Sequence, residues 1–171
     1  MFERWHDYYL MIGSCAAALI GLMFVVMTLT VGHDRNQAEQ GKHLYSSPIV
    51  LHLAVVLALS GAALAPGIDA RSFALAAGAI GLLGVAIGIR SAVGIARWSG
   101  APSSGFDMFW YGAAPAIVYA GLVGAAVAML RSMSWSAEAI AANLMALLLV
   151  SIHAEWDLVT FLAPKAKPEG E

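Results

Sequence analysis

Apolar residues run almost unbroken through five stretches of this chain, at about residues 8–31, 48–65, 72–98, 108–130 and 137–162, with short polar segments between them. A bilayer's hydrocarbon core of about 30 Å takes roughly 20 apolar residues at helical rise. Backbone N–H and C=O groups find no water partner there, so a crossing segment is either a helix or part of a closed barrel. Barrel strands alternate apolar and polar positions, and these stretches do not alternate. The pattern predicts an all-α integral membrane protein: a bundle of five transmembrane helices in one membrane domain spanning residues 1–171.

The punctuation between the stretches sharpens their ends. Trp5, Tyr8 and Tyr9 precede the first as an expected interfacial aromatic belt. The polar loop Gly32–Ser47 carries His33, Asp34, Arg35, Glu39, Lys42 and His43, an irregular spacing that reads as a solvated loop. Pro48 suits a first helical turn. Pro66–Gly67 reads as a tight turn leading through Asp69 and Arg71, and Gly100–Gly105 as a Pro/Ser/Gly loop. Pro115 predicts a kink near the start of the fourth span. A turn at Ser132–Ser136 precedes the fifth, and the polar tail, residues 164–171, reads as disordered. Glu3, Arg4 and Asp7 do not form the basic region of a cleaved signal, so the first stretch is read as a span. Arg4, Arg71 and Arg131 fall on one side; Arg35, Lys42, Arg90, Arg97, Lys165 and Lys167 fall on the other. The excess of basic residues on the second side predicts the N-terminus outside and the C-terminus cytoplasmic, with a smaller margin if Arg90 lies within the membrane.

Composition agrees with this class. The chain is 60% hydrophobic and 12% charged, where soluble domains are nearer half apolar and a quarter charged. Its net charge of −2 and lack of a basic cluster give no footprint for nucleic acid. The single cysteine, Cys15, cannot form an intrachain disulfide and reads as a small buried filler.

Small residues recur at helix-contact spacing: Gly13, Ala17 and Gly21 in the first span, Gly84 and Gly88 in the third, and Gly112 with Ala116 in the fourth. In lipid, helices associate through close backbone approach and van der Waals packing, which small residues permit. These stripes either pack one protomer or form a homo-oligomer interface.

The candidate chemistry lies in side chains that are costly in hydrocarbon. An ionisable group near a helix centre costs about 2.5–3.5 kcal/mol on insertion scales and marks a functional hypothesis by default. His52, Arg90, Asn143, His153, Glu155 and Asp157 are such residues, with Thr28 and Thr30 at the end of the first span. From the expected cytoplasmic ends, His52 is about 6 Å deep, Arg90 about 12 Å and His153 about 13 Å, which suggests one polar layer. Asn143, His153 and Asp157 share a helical face, with His153 and Asp157 four apart and able to touch, while Glu155 points toward Ser151's side. Arg90 is the expected counter-charge for Glu155 or Asp157.

Several chemistries suit these residue types. A His–Asp–Glu set can relay a proton or ion; two histidines can ligate a haem iron; and His52, His153 and Asp157 are low-specificity candidates for a metal. Histidines can also simply bond helix to helix. No complete catalytic motif is present, no cofactor is required by the sequence, and no inverted repeat marks a secondary transporter. The segments AAALIGLMFVVMTLT (Ala16–Thr30) and HAEWDLVTFLA (His153–Ala163) resemble the two ends of a group of small uncharacterised bacterial multi-pass membrane proteins, with Trp156 and Asp157 as the family-like positions. The resemblance implies a helical protein of the bacterial inner (plasma) membrane and carries no activity. The expectation is a homo-oligomeric channel or transporter for an ion, proton or small solute. The alternatives are a haem- or metal-dependent redox protein and a non-catalytic accessory subunit of a membrane complex.

Overall fold

The structure, a computed structural model, describes residues 3–30, 47–97 and 109–162. The loop histidines, the Gly100–Gly105 loop and the polar tail lie outside the described residues. All regular structure among the described residues is helical. A short 3-10 turn, Glu3–Trp5, leads into α1, His6–Thr30. Next come α2, Ser47–Leu64, and α3, Ala70–Arg97. A π-helical turn, Phe109–Ala113, opens directly into α4, Ala114–Leu130, and α5 covers Ser136–Leu162.

Four segments are long and apolar enough to cross a membrane: His6–Val26, Ala70–Val93, Phe109–Leu130 and Ser136–Asp157. The described part of α2, Ile49–Leu64, is shorter. Large apolar side chains cover the outer surface, among them Leu22, Phe24, Leu82, Leu83, Ile117 and Leu149. A water-facing surface would not carry such a sheath on every side, whereas a lipid-facing one requires it.

Because lipid tails are as apolar as leucine, burial alone does not bring membrane helices together; close packing does. The α3–α4 seam shows how. A Cβ built on Gly84 would strike the Tyr119 ring, one on Gly88 would lie 2.9 Å from Ala116 Cβ, and one on Gly112 would lie 2.8 Å from Ala92 Cβ. Gly81 meets Val123 in the same way. Successive contacts descend one helix as they climb the other, so the pair is antiparallel and in register over some three turns. On α1, Gly13 approaches Ser60 of α2, 3.1 Å from a built Cβ to the serine Cβ. Gly13, Gly84, Gly88 and Gly112 therefore pack the protomer. Ala17 and Gly21 face outward, and nothing lies within 4 Å of a Cβ built on Gly21.

Helix α5 fills the space between the α1–α2 and α3–α4 pairs, contacting α4, α2 and α1. Its inward side, Ile140, Leu144 and Leu147, joins Ile12, Leu53, Val56, Phe73, Tyr119 and Leu122 in one core. Two sequence expectations change here. Tyr9, expected in an interfacial belt, is fully buried within the bundle, and the Tyr8 hydroxyl donates to Ala141 O of α5 at 3.0 Å. Both tyrosines are drawn inward because they lie on the face of α1 that meets α5. Cys15, expected as core filler, is exposed on the outer face of α1.

Pro115 lies near the start of the fourth span, where a kink is expected, and the disturbance there takes the form of a π turn. It sits in the first turn of α4, directly after the π turn. Proline has no N–H for the carbonyl four residues back, and the wider i→i+5 turn accommodates that loss. Elsewhere the connections follow local chemistry. Gly67 takes φ 82° in the α2–α3 turn, and Asp69 Oδ1 accepts the N–H groups of Arg71 and Ser72, both at 2.9 Å, capping α3.

Candidate functional site

The π turn has a consequence beyond proline. It carries the run Phe109–Trp110–Tyr111 and presents two of these rings to α5. Trp110 lies over the His153 imidazole, with centroids 4.1 Å apart and planes at 40°. Phe109 meets Trp110 edge-on at 5.5 Å. The Tyr111 hydroxyl donates to Asp157 Oδ2 at 3.1 Å. His153 Nε2 lies 3.5 Å from the same oxygen, beyond a good hydrogen bond but within ion-pair reach when the ring is protonated. The one-turn spacing on α5 brings imidazole and carboxylate together; the tyrosine and tryptophan fix them from outside the helix. The side chains of His153 and Asp157 remain 32% and 38% exposed at the surface of the protomer, although His153 Nε2 itself is enclosed. A carboxylate held between a hydroxyl and an imidazole, beside aromatic faces, has the chemistry to bind a small cation or exchange a proton.

Asn143 shares this α4-facing side of α5, but its amide nitrogen donates to Ala139 O of its own helix at 2.8 Å, and its oxygen lies against Gly121. It serves as a satisfied packing group. Glu155 turns inward instead. It is 9% exposed, and its Oε1 has no hydrogen-bond partner among the described residues.

His52 belongs elsewhere. Its Nδ1 lies 2.9 Å from the Tyr119 hydroxyl. Gly121 lies beside Asn143 and Trp110 over His153, so Tyr119 is level with α5 residues about 12 Å from His153 along the helix axis. The single polar layer expected from span ends is thus divided, because α2 and α5 pack with an offset that residue counting does not reveal. Arg90 is exposed on α3 and makes no ion pair with Glu155 or Asp157 among the described residues. Helix α3 packs on α4 and the π turn, leaving Arg90 outside the α5 cluster. Among the described residues no three His, Cys, Asp or Glu side chains gather as a metal set, and His52, His153 and Asp157 do not converge. Thr28 bonds its own helix, at Val25 O.

Sequence reasoning passed over Trp110, Tyr111 and Tyr119. The first two had a signal, an aromatic run just before a helical proline; Tyr119 had none, being one ring within an apolar span. Comparison with known protein families, characterised proteins and solved structures gives no match.

Proposed function

We propose that this chain is a five-span protein of the bacterial inner membrane, N-terminus outside and C-terminus cytoplasmic, forming an oligomeric channel or transporter for an ion, proton or small solute. The observation that carries the reading is Asp157, a carboxylate on an apolar helix held by Tyr111 and approached by His153. An acid in such a helix is costly unless used, and its side chain is partly exposed at the protomer surface. Five crossings are supported by α1 and α5 running parallel: Tyr8, near the start of α1, bonds Ala141, near the start of α5. Three intervening antiparallel passes give that result, whereas an α2 that failed to cross would reverse it. The outward face with Ala17 and Gly21 supplies small residues for a second copy. Flux of protons, sodium and potassium into proteoliposomes tests the proposal. Uptake lost in Asp157→Asn and reduced in Tyr111→Phe is expected; no flux of any ion or small solute by intact oligomer would overturn it.

A second reading, a non-catalytic accessory subunit, is favoured by the separation of His52, Arg90 and Glu155 from the cluster. It predicts that the protein purified from its native membrane brings a defined partner in fixed ratio and that Asp157→Asn leaves that ratio unchanged.

A further inference from the structure

Glu155 is the acid that the α4–α5 cluster leaves unused, and its surroundings contrast with those of Asp157. We propose that Glu155 is an intramembrane proton-binding site, held in the resting protein as the neutral carboxylic acid. Asp157 has a tyrosine hydroxyl, a nearby imidazole and a side chain that is 38% exposed. Two residues earlier the helix has turned about 200°, and Glu155 faces the bundle with 9% exposure and Oε1 unpartnered among the described residues. Ser151, one turn away on the same inward side, is fully buried and donates its hydroxyl to Leu147 O at 2.8 Å. That leaves its oxygen as an acceptor, which suits a protonated acid and not an anion.

Among the described residues, the elements packed on α5 supply no compensating charge. On α2, His52 is engaged with Tyr119 of α4. In the π turn, Tyr111 is engaged with Asp157. On α1, His6, Asp7, Tyr8 and Tyr9 lie at the opposite end, where Tyr8 bonds Ala141 near Glu138 at the start of α5, and Cys15 faces outward. On α5 itself, His153 pairs with Asp157. Arg90, on α3, forms no ion pair with Glu155. A buried carboxylate without a cation or donors is so unfavourable that the group neutralises instead, and the proton is the occupant that does this without further ligands. A sodium ion would demand several oxygen ligands, and among the described residues no group of three His, Cys, Asp or Glu side chains gathers at Glu155. As the species moved across the membrane, the proton rests on the transport reading; as the occupant of Glu155, it does not.

Dicyclohexylcarbodiimide, an apolar reagent, tests the site in wild-type protein in lipid nanodiscs at neutral pH. A buried carboxylic acid gives its proton to a carbodiimide nitrogen while its oxygen bonds the central carbon, and the adduct rearranges to a stable N-acylurea. Peptide mass spectrometry is expected to find the label on Glu155, with a water-soluble carbodiimide failing to label it. Glu155 unmodified by the apolar reagent, or modified only by the soluble one, overturns the proposal. So does protection by sodium chloride that potassium chloride does not give, which would assign a metal cation. Infrared spectroscopy adds a reagent-free reading: a protonated-carboxyl carbonyl band in wild type, absent in Glu155→Gln. If that variant fails to assemble, Glu155→Asp must shift the band. A band unchanged in either variant overturns the proposal. None of these readouts requires flux, so a sealed, non-conducting protein would still decide it.

Discussion

His52 Nδ1 and the Tyr119 hydroxyl lie 2.9 Å apart and join α2 to α4 inside the bundle. Both residues are buried, at 5% and 1% exposure, so each is the other's answer to desolvation. Removing one partner strands the other, at a cost of about 1–3 kcal/mol, whereas replacing both with apolar groups of similar shape costs less. Tyr119→Phe and His52→Leu are therefore expected to destabilise singly by about that amount. The double variant should fall short of their sum. Unfolding of the four proteins in mixed micelles measures the coupling, and strict additivity would show that the contact is not a bond.

Glycine tolerance should separate the inner faces from the outer ones. A Cβ at Gly84 would enter the Tyr119 ring, and one at Gly21 would meet nothing within 4 Å. Overpacking a tight contact costs roughly 1–3 kcal/mol. Gly84→Ala is expected to lower the unfolding midpoint in detergent markedly, and Gly21→Ala to leave it unchanged or raise it slightly through better helix propensity. Equal sensitivity at both positions would mean that Gly21 also lies in a contact, as in an oligomer built on the Ala17–Gly21 face.

The α3 cap gives a pH dependence outside the membrane. Hydrogen bonds from the Ser72 hydroxyl and then the Ser72 N–H, with Arg71 N–H adding to them, hold the Asp69 carboxyl below its ordinary value. A carboxylate held low contributes stability that is fully present above its unfolded pKa, roughly 4. That stability disappears as pH falls through the folded value. Asp69→Ala should lower the thermal midpoint at neutral pH, and the gap to wild type should narrow as pH falls below the unfolded value. A gap that persists undiminished in acid would assign the effect to something other than the ionised cap.

A serine occupies the left-handed position after α4, with φ 57°. Met133 N–H bonds Ala128 O, and Ser132 N–H bonds Met129 O, both at 3.0 Å, the two bonds of a Schellman close, where glycine is usual. The left-handed region costs a non-glycine residue about 1–2 kcal/mol, partly offset by glycine's larger entropy loss. Ser132→Gly is thus expected to stabilise the protein by up to about 1 kcal/mol, read from the same unfolding measurement. A loss of stability would indicate that the serine side chain has a role of its own.

The helices were legible because each is a long apolar run without the alternation of a strand, although the described part of α2 is shorter than the other four. Helical periodicity also carried the His153–Asp157 pairing, since that geometry is local to α5. Relations between helices were not legible. The offset that puts His52 opposite Tyr119, and the outward turn of Arg90, depend on how far each helix slides against its neighbour. That sliding is set by glycine contacts such as Gly84 on Tyr119, and nothing in either span alone says which glycine meets which ring. The π turn that brings Trp110 over His153 was hidden for a related reason. Pro115 announced a disturbance, but its form depended on what α5 offered the displaced aromatics.

Crossing number can be checked at the ends of the bundle. Arg4 precedes α1, Pro66 lies in the α2–α3 turn, and Ser134 lies between α4 and α5; all three are exposed. The Tyr8–Ala141 bond ties the start of α1 to the start of α5, so Arg4 and Ser134 lie at one end of the bundle. With α2 crossing, Pro66 joins them; were α2 to turn back, Pro66 would lie on the face opposite Arg4. Single cysteines at these positions in a Cys15→Ala background can be probed with a membrane-impermeant maleimide on right-side-out vesicles. All three are expected to react from outside. Labelling of Pro66→Cys and Arg4→Cys from opposite faces would remove α2 from the crossing helices. All three reacting only from inside would keep five crossings and reverse the direction inferred from the lysines and arginines.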